Sequence, residues 1–324
     1  MLLKKWSAFF NPEQFQGWGK KKNYFEGWYF KILNKECNQA LAIIPGIAMD
    51  AEGKKKAFIQ LLDGKLHRSE YYSFDGSAFQ AKPGLFEIKI DQNCFTQNSI
   101  QLDLPILKGS LNFENPIGWP KPWYSPGIMG PYAFVPFMEC YHGIVSMDHA
   151  INGKLAYNLD TIDFTDGRGY IEKDWGHSFP SSYVWMQSNH FSNSGISFKA
   201  SVANIPWIRN SFVGFIAGLW YQNQLIRFTT YNNTRLRKCK ILLDHVELIL
   251  ENKKYLLEIY AHRNQATQLA SPIQGVMDGR IEESMNSRIE VQLYSKKEKK
   301  LIFNDTGRHT AMEVAGAIDE IQIN

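Results

Sequence analysis

The chain has 324 residues, a net charge of +4, and 44% hydrophobic against 21% charged residues. That balance excludes a disordered chain, and the length favours two domains. The basic residues fall in short runs, at Lys20-Lys21-Lys22, Lys54-Lys55-Lys56 and around 296–300, rather than in one stripe. Nucleic-acid binding is therefore not expected.

The first residues, Met1-Leu2-Leu3-Lys4-Lys5-Trp6-Ser7-Ala8-Phe9-Phe10, lack the apolar run of a signal peptide. No segment approaches the ~20 apolar residues of a spanning helix. A soluble, cytoplasmic protein is the expectation. The lysines with Trp6, Phe9, Phe10 and Trp18 form an arm expected to pack on the first domain, with weak peripheral membrane contact as the alternative. Turn signals then punctuate a series of short strand-like runs: 25–33, 39–47, 56–62, 70–74, 85–90, 99–104 and 108–113. Asp63-Gly64, Asp75-Gly76 and Pro83-Gly84 separate several of them. Residues 115–136 hold six prolines with Trp119, Trp123 and Tyr124, a density that no central strand tolerates. This stretch reads as an aromatic loop over a cavity mouth, or as a spacer between domains.

Strand patterns resume at 141–150, 154–164, 169–175, 183–191, 195–202, 212–220 and 224–230. They continue at 241–250, 255–262 and 288–293, and 241–250 with 255–262 reads as a hairpin. Residues 278–284 read as a polar turn, and 311–323 as a short helix or an edge strand. The class is all-β, with two barrel-like halves meeting near Pro180: 1–180, including the loop 115–136, and 181–324. Cys37, Cys94, Cys140 and Cys239 are too far apart for metal spacing and read as buried free thiols in a reducing compartment. Nucleotide-binding, metalloprotease and nucleophile-elbow motifs are absent from the sequence, so neither a cofactor nor a metal is expected.

Three segments carry the candidate chemistry. In Tyr24-Phe25-Glu26-Gly27-Trp28-Tyr29-Phe30-Lys31, period two puts Glu26, Trp28 and Phe30 on one face and Gly27, Tyr29 and Lys31 on the other. Trp28 fits either a barrel-closing position or a ligand wall, and Arg280 or Arg308 would be suitable partners for Glu26. In Ile171-Glu172-Lys173-Asp174-Trp175-Gly176-His177-Ser178, the face of Tyr170, Glu172 and Asp174 opposes that of Ile171, Lys173 and Trp175. Carboxylates two apart on a strand lie roughly 6–7 Å apart; if both are buried, one stays protonated and can serve as a general acid. A salt bridge to Lys173 or a nearby arginine is the alternative. His177, just past the turn at Gly176, can exchange protons or can simply be exposed. In Tyr183-Val184-Trp185-Met186-Gln187-Ser188-Asn189, Trp185, Gln187 and Asn189 share a face that suits a cavity wall.

The three blocks YFEGWYFK, EKDWG with SFP, and WMQSNHF resemble the tocopherol cyclase family in order and spacing across nearly the whole chain. The resemblance implies two lipocalin-like antiparallel β-barrels side by side and, in plant members, closure of a chromanol ring on a prenylated hydroquinone. This chain departs from the cyclase pattern in carrying Asp174 where that pattern has Asn, and His177 and Ser178 where it has glycines. The expected chemistry is protonation of an alkene and capture of the cation by a phenol oxygen. Asp174 or Glu172 would be the acid, with Glu26 second. Trp28, Trp175 and Trp185 would line the cation, Tyr29 would line the ligand, and Gln187, Asn189 or His177 would orient or deprotonate the hydroxyl. The partner would be a hydrophobic small molecule. A non-catalytic carrier of an apolar ligand is the rival reading; a purely structural surface protein is disfavoured by the missing secretion signal.

Overall fold

Short apolar runs broken by turn residues give strands, and the computed structural model, which describes residues 2–324, assembles them into two large antiparallel sheets. Two compact units result: Met1–Phe179 with Leu269–Arg280, and Pro180–Gln268 with Ile281–Asn324. Residues 269–280 thus cluster with the first unit, although the chain on either side of them belongs to the second.

In the first unit the meander Tyr24–Leu33, Ala40–Met49, Lys55–Asp63 and Arg68–Asp75 forms one side of a twelve-stranded sheet. Gly167–Gly176 inserts between Tyr24–Leu33 and Cys140–Tyr157. This late insertion makes the first two motifs direct neighbours, with Glu26 opposite Trp175, Trp28 opposite Lys173 and Tyr29 opposite Glu172. One face of these strands packs the unit's core, where Trp28, Phe30, Ile43, Ile59 and Ile171 meet Phe95. The opposite face is also largely covered: in Tyr24–Leu33 every residue is buried except the half-buried Gly27. Burial on both faces explains why the run reads as almost continuously apolar.

The second unit repeats the plan. Its first strand, Ser182–Ser188, lies between Ser197–Trp207 and its last strand, Lys300–Gly316, in a ten-stranded sheet. Val184, Met186, Phe198, Leu219, Leu248 and Val291 belong to its core. The hairpin His245–Glu251 with Tyr255–His262 forms in register.

Several local readings need correction. Residues 278–284 are no turn but part of the long strand Val276–Ser295, and 311–316 lies in a central strand rather than a helix or an edge. The periods of Asn93–Thr96 and Arg235–Ile241 were too short or too basic to register as strands. The loop 115–136 lies wholly inside the first unit, so it is no spacer between domains. Trp119 is buried there while Trp123 is 78% exposed. The four cysteines are free, but only Cys239 is buried. The N-terminal arm forms the helix Leu2–Phe10, held by Ala8 and leaving Leu2, Leu3 and Trp6 exposed. No described helix is long and apolar enough to cross a membrane.

The first unit also carries an acid-sensitive element. His149 is 1% exposed, its Nδ1 lies 2.9 Å from Ser146 Oγ, and burial pushes its imidazole down to about 3. Because the folded value lies below the unfolded one, this residue's contribution is complete above the ordinary value of 6.5 and is lost as pH falls towards about 3. The full effect is roughly 5 kcal/mol. Urea melts from pH 7 to pH 4 should show stability falling, and His149→Gln should flatten that slope.

Candidate active site

The face of the first unit opposite its core gathers the titratable groups. Strand alternation aims Tyr170, Glu172 and Asp174 to that side of Gly167–Gly176, and the neighbouring strand Cys140–Tyr157 sets His142 directly opposite Asp174. His142 Nδ1 lies 2.7 Å from Asp174 Oδ1, and its Nε2 lies 3.5 Å from Glu172 Oε2. The Tyr170 hydroxyl donates to Glu172 Oε2. Burial, and then the adjacent Glu172, push that phenol well above its ordinary value, so it remains a donor. The Cys140 thiol lies 3.9 Å from Asp174 Oδ1. Burial, followed by Asp174, pushes it up as well, so it stays a thiol.

The His142 ring is hydrogen-bonded to Asp174 and stands between the two carboxylates, so a proton can pass between His142 and Asp174 with Glu172 beside them. Accessibility separates the two acids: the Glu172 side chain is 6% exposed and the Asp174 side chain 22%. Asp174 is the member that reaches open space, with Glu172 and Tyr170 behind it. One ligand atom from each of His142, Glu172 and Asp174 lies within 4.8 Å of the others, so the trio could also accept a divalent cation. With Nδ1 of His142 at hydrogen-bond distance from Asp174, a shared proton accounts for the arrangement without one.

Glu26 lies on the other side of the sheet. Lys173 Nζ pairs with Glu26 Oε1 at 2.6 Å, and both side chains are fully buried. The backbone N–H groups of Gln16 and Gly17 and the Tyr24 hydroxyl, at 2.5 Å, also donate to this carboxylate. Lys173 further donates to the carbonyls of Pro12 and Gln14, and the Trp28 indole N–H donates to Glu13 O at 3.0 Å. The group is a structural anchor for residues 12–17. Glu26 finds its counter-charge in Lys173, one strand away, rather than in Arg280, whose guanidinium bonds the carbonyls of Met277 and Gly279.

Trp28 and Trp175 share this core-side face, with the Lys173 ammonium 4.8 Å and 4.7 Å from their ring centroids. They already hold a cation, that of the protein itself, and the structure does not bring them together with Asp174 and Glu172. Tyr29, opposite Glu172, is on the acid side. His177 lies past Gly176, where its Nδ1 is 3.4 Å from Ser178 Oγ. Burial, and then Lys20, push its imidazole down, so its neutral form is favoured.

Trp185, Gln187 and Asn189 belong to the second unit and are buried. Trp185 and Gln187 alternate with the core residues Val184 and Met186. Beside them lie residues that sequence reading missed: Glu313, opposite Trp185 and accepting from the Tyr183 hydroxyl at 2.7 Å, and the fully buried Lys199, opposite Gln187. His142 is the other omission. Its strand also carries Ser146, Asp148 and His149, so His142 does not stand out in the sequence, and its partner is identified only by cross-strand pairing.

A family model described as tocopherol cyclase-like matches residues 110–316, a span that includes His142, Glu172 and Asp174. A probable chloroplastic tocopherol cyclase of Oryza sativa subsp. japonica is 24% identical over 204 residues, covering 58% of this chain and 42% of the relative. The chloroplastic tocopherol cyclase of Zea mays is 26% identical over 199 residues, covering 58% and 41%. The matched region therefore spans about two-fifths of each plant protein. Among solved structures, CghA with Sch210972 is similar with a TM-score of 0.55 at 10% identity, covering 91% of this chain and 89% of that one. At that identity the likeness is one of fold.

Proposed function

This chain belongs to the tocopherol cyclase-like family, and from that premise we propose that it is a cyclase-type enzyme acting on an apolar prenylated quinol. The observation that carries the reading is the His142–Asp174–Glu172 cluster, in which the more accessible acid is backed by an imidazole and a second carboxylate. Asp174 delivers a proton to an alkene carbon of the substrate, giving a tertiary cation at its neighbour. The phenol oxygen bonds to that cation, and the phenolic proton then passes to the cluster and restores it. No bond is oxidised or reduced, and the product is an isomer of the substrate. Glu172, held by Tyr170, keeps the proton relay inside a largely buried face, where proton transfer by a positioned group contributes about 10²–10⁴-fold.

Mass spectrometry of a prenylated hydroquinone incubated with the protein is the test. The reading expects an isomeric chromanol-type product of unchanged mass. A product heavier by one water would indicate hydration, and retention of unchanged substrate would indicate a carrier; either outcome would displace the cyclase reading.

A further inference from the structure

We propose that Gly27 keeps open the seat for the branched alkene beside Asp174, and so determines which substrates the acid can reach. The inference rests on the cyclase reading above and adds to it a specificity residue. Across the acid-bearing face, the residues in one row are His142, Asp174, Gly27 and Gly46, each opposite the next in register. The two glycines differ in what they do. A Cβ on Gly46 would lie 2.3 Å from Phe58 Cζ and 2.7 Å from Glu26 O, so packing alone demands glycine there. A Cβ on Gly27 would meet nothing nearer than Pro45 O at 3.8 Å, followed by Ile44 Cγ2 and Phe58 Cζ at 3.9 Å. Gly27 is also absent from the positive-φ glycines. Neither backbone conformation nor crowding requires a glycine at 27, and glycine costs a strand stability.

What the missing side chain leaves is room for about one methyl group, in ordinary contact with Pro45 O, Ile44 Cγ2 and Phe58 Cζ, and those neighbours are mostly apolar. In Tyr24–Leu33 the only residue that is not buried is Gly27, and in Ala40–Met49 it is Ile44. Asp174 and His142, the next residues along the row, are half-buried as well. Gly27, Ile44, Asp174 and His142 are thus half-buried neighbours on a face where Tyr29, Lys31, Gly46, Tyr170 and Glu172 are buried. The floor of the space is the Gly27 backbone, its rim is Ile44 and Phe58, and its end is the carboxyl of Asp174. Apolar walls closing on one acid suit a methyl-branched hydrocarbon presented edge-on to a proton donor.

The test uses the full chain carrying Gly27→Ala and Gly27→Val, with Gly46→Ala as a contrast. Melting temperature and kcat/KM on a prenylated hydroquinone are measured alongside the dissociation constant of the same hydroquinone lacking its prenyl chain. One methyl-sized change in an apolar pocket shifts specificity by about 10–200-fold. Gly27→Ala is expected to lose about tenfold in kcat/KM with melting temperature unchanged or raised, and Gly27→Val to lose more, with chain-free quinol affinity unchanged in both. Gly46→Ala is expected to lower the melting temperature instead. A fully active Gly27→Val would overturn the role of Gly27 while leaving the cyclase reading intact. A wild-type protein inert towards every prenylated quinol tried would overturn that reading, and this inference with it.

Discussion

Asp174→Asn should lower turnover of a prenylated quinol by about 10²–10⁴-fold and leave the melting temperature within a few degrees of wild type. The amide is nearly isosteric and can still accept from His142 Nδ1 across the present 2.7 Å, so the strand pairing at this position survives. The amide lacks a proton acidic enough to give to an alkene. Glu172 is poorly placed to substitute for it, because its side chain is only 6% exposed and accepts from Tyr170. Steady-state kinetics beside a thermal melt separates the two effects. Turnover retained at the wild-type rate would remove Asp174 from the chemistry; a collapsed melt would make its role structural.

The largest stability effect belongs to Lys173. Lys173→Met should destabilise the first unit by about 3–5 kcal/mol, the usual consequence of leaving a buried charge without its partner. Glu26 would keep the N–H groups of Gln16 and Gly17 and the Tyr24 hydroxyl but lose the cation it pairs with, and Pro12 and Gln14 would lose a common donor. Burial is the first cause pushing the Lys173 ammonium down, and Glu26 is the main one opposing it, so the Lys173 charge is supported by its carboxylate partner. Lys173→Met with Glu26→Gln should therefore be more stable than Lys173→Met alone. Urea melts of the two variants decide the point; equal stability of wild type and Lys173→Met would show that the pair contributes little.

The all-β class was legible because alternation and turn chemistry are local. Period two alone also placed Tyr170, Glu172 and Asp174 together and set Lys173 and Trp175 against them. Sequence could not show which of those faces is the core. Trp28 and Trp175 are accordingly packed around Lys173 rather than displayed to a ligand with the acids. Nor could local patterning show that the second motif inserts next to the first, which makes Lys173 the partner of Glu26. His142 stayed hidden for the same reason: its strand is irregular between Ile144 and Ser146, and its relation to Asp174 exists only across the sheet. Glu313 and Lys199 are recognisable as neighbours of Trp185 and Gln187 only through strand register.

The central claim is that the substrate's new hydrogen comes from the Asp174 cluster, which exchanges with solvent. Cyclisation of a prenylated hydroquinone in D₂O, read by mass spectrometry and NMR, tests it most directly. The wild-type protein should give a chromanol carrying one solvent deuterium on the former alkene carbon, and Asp174→Asn should give almost no product. A product free of carbon-bound deuterium, or one formed equally fast by Asp174→Asn, would contradict the account.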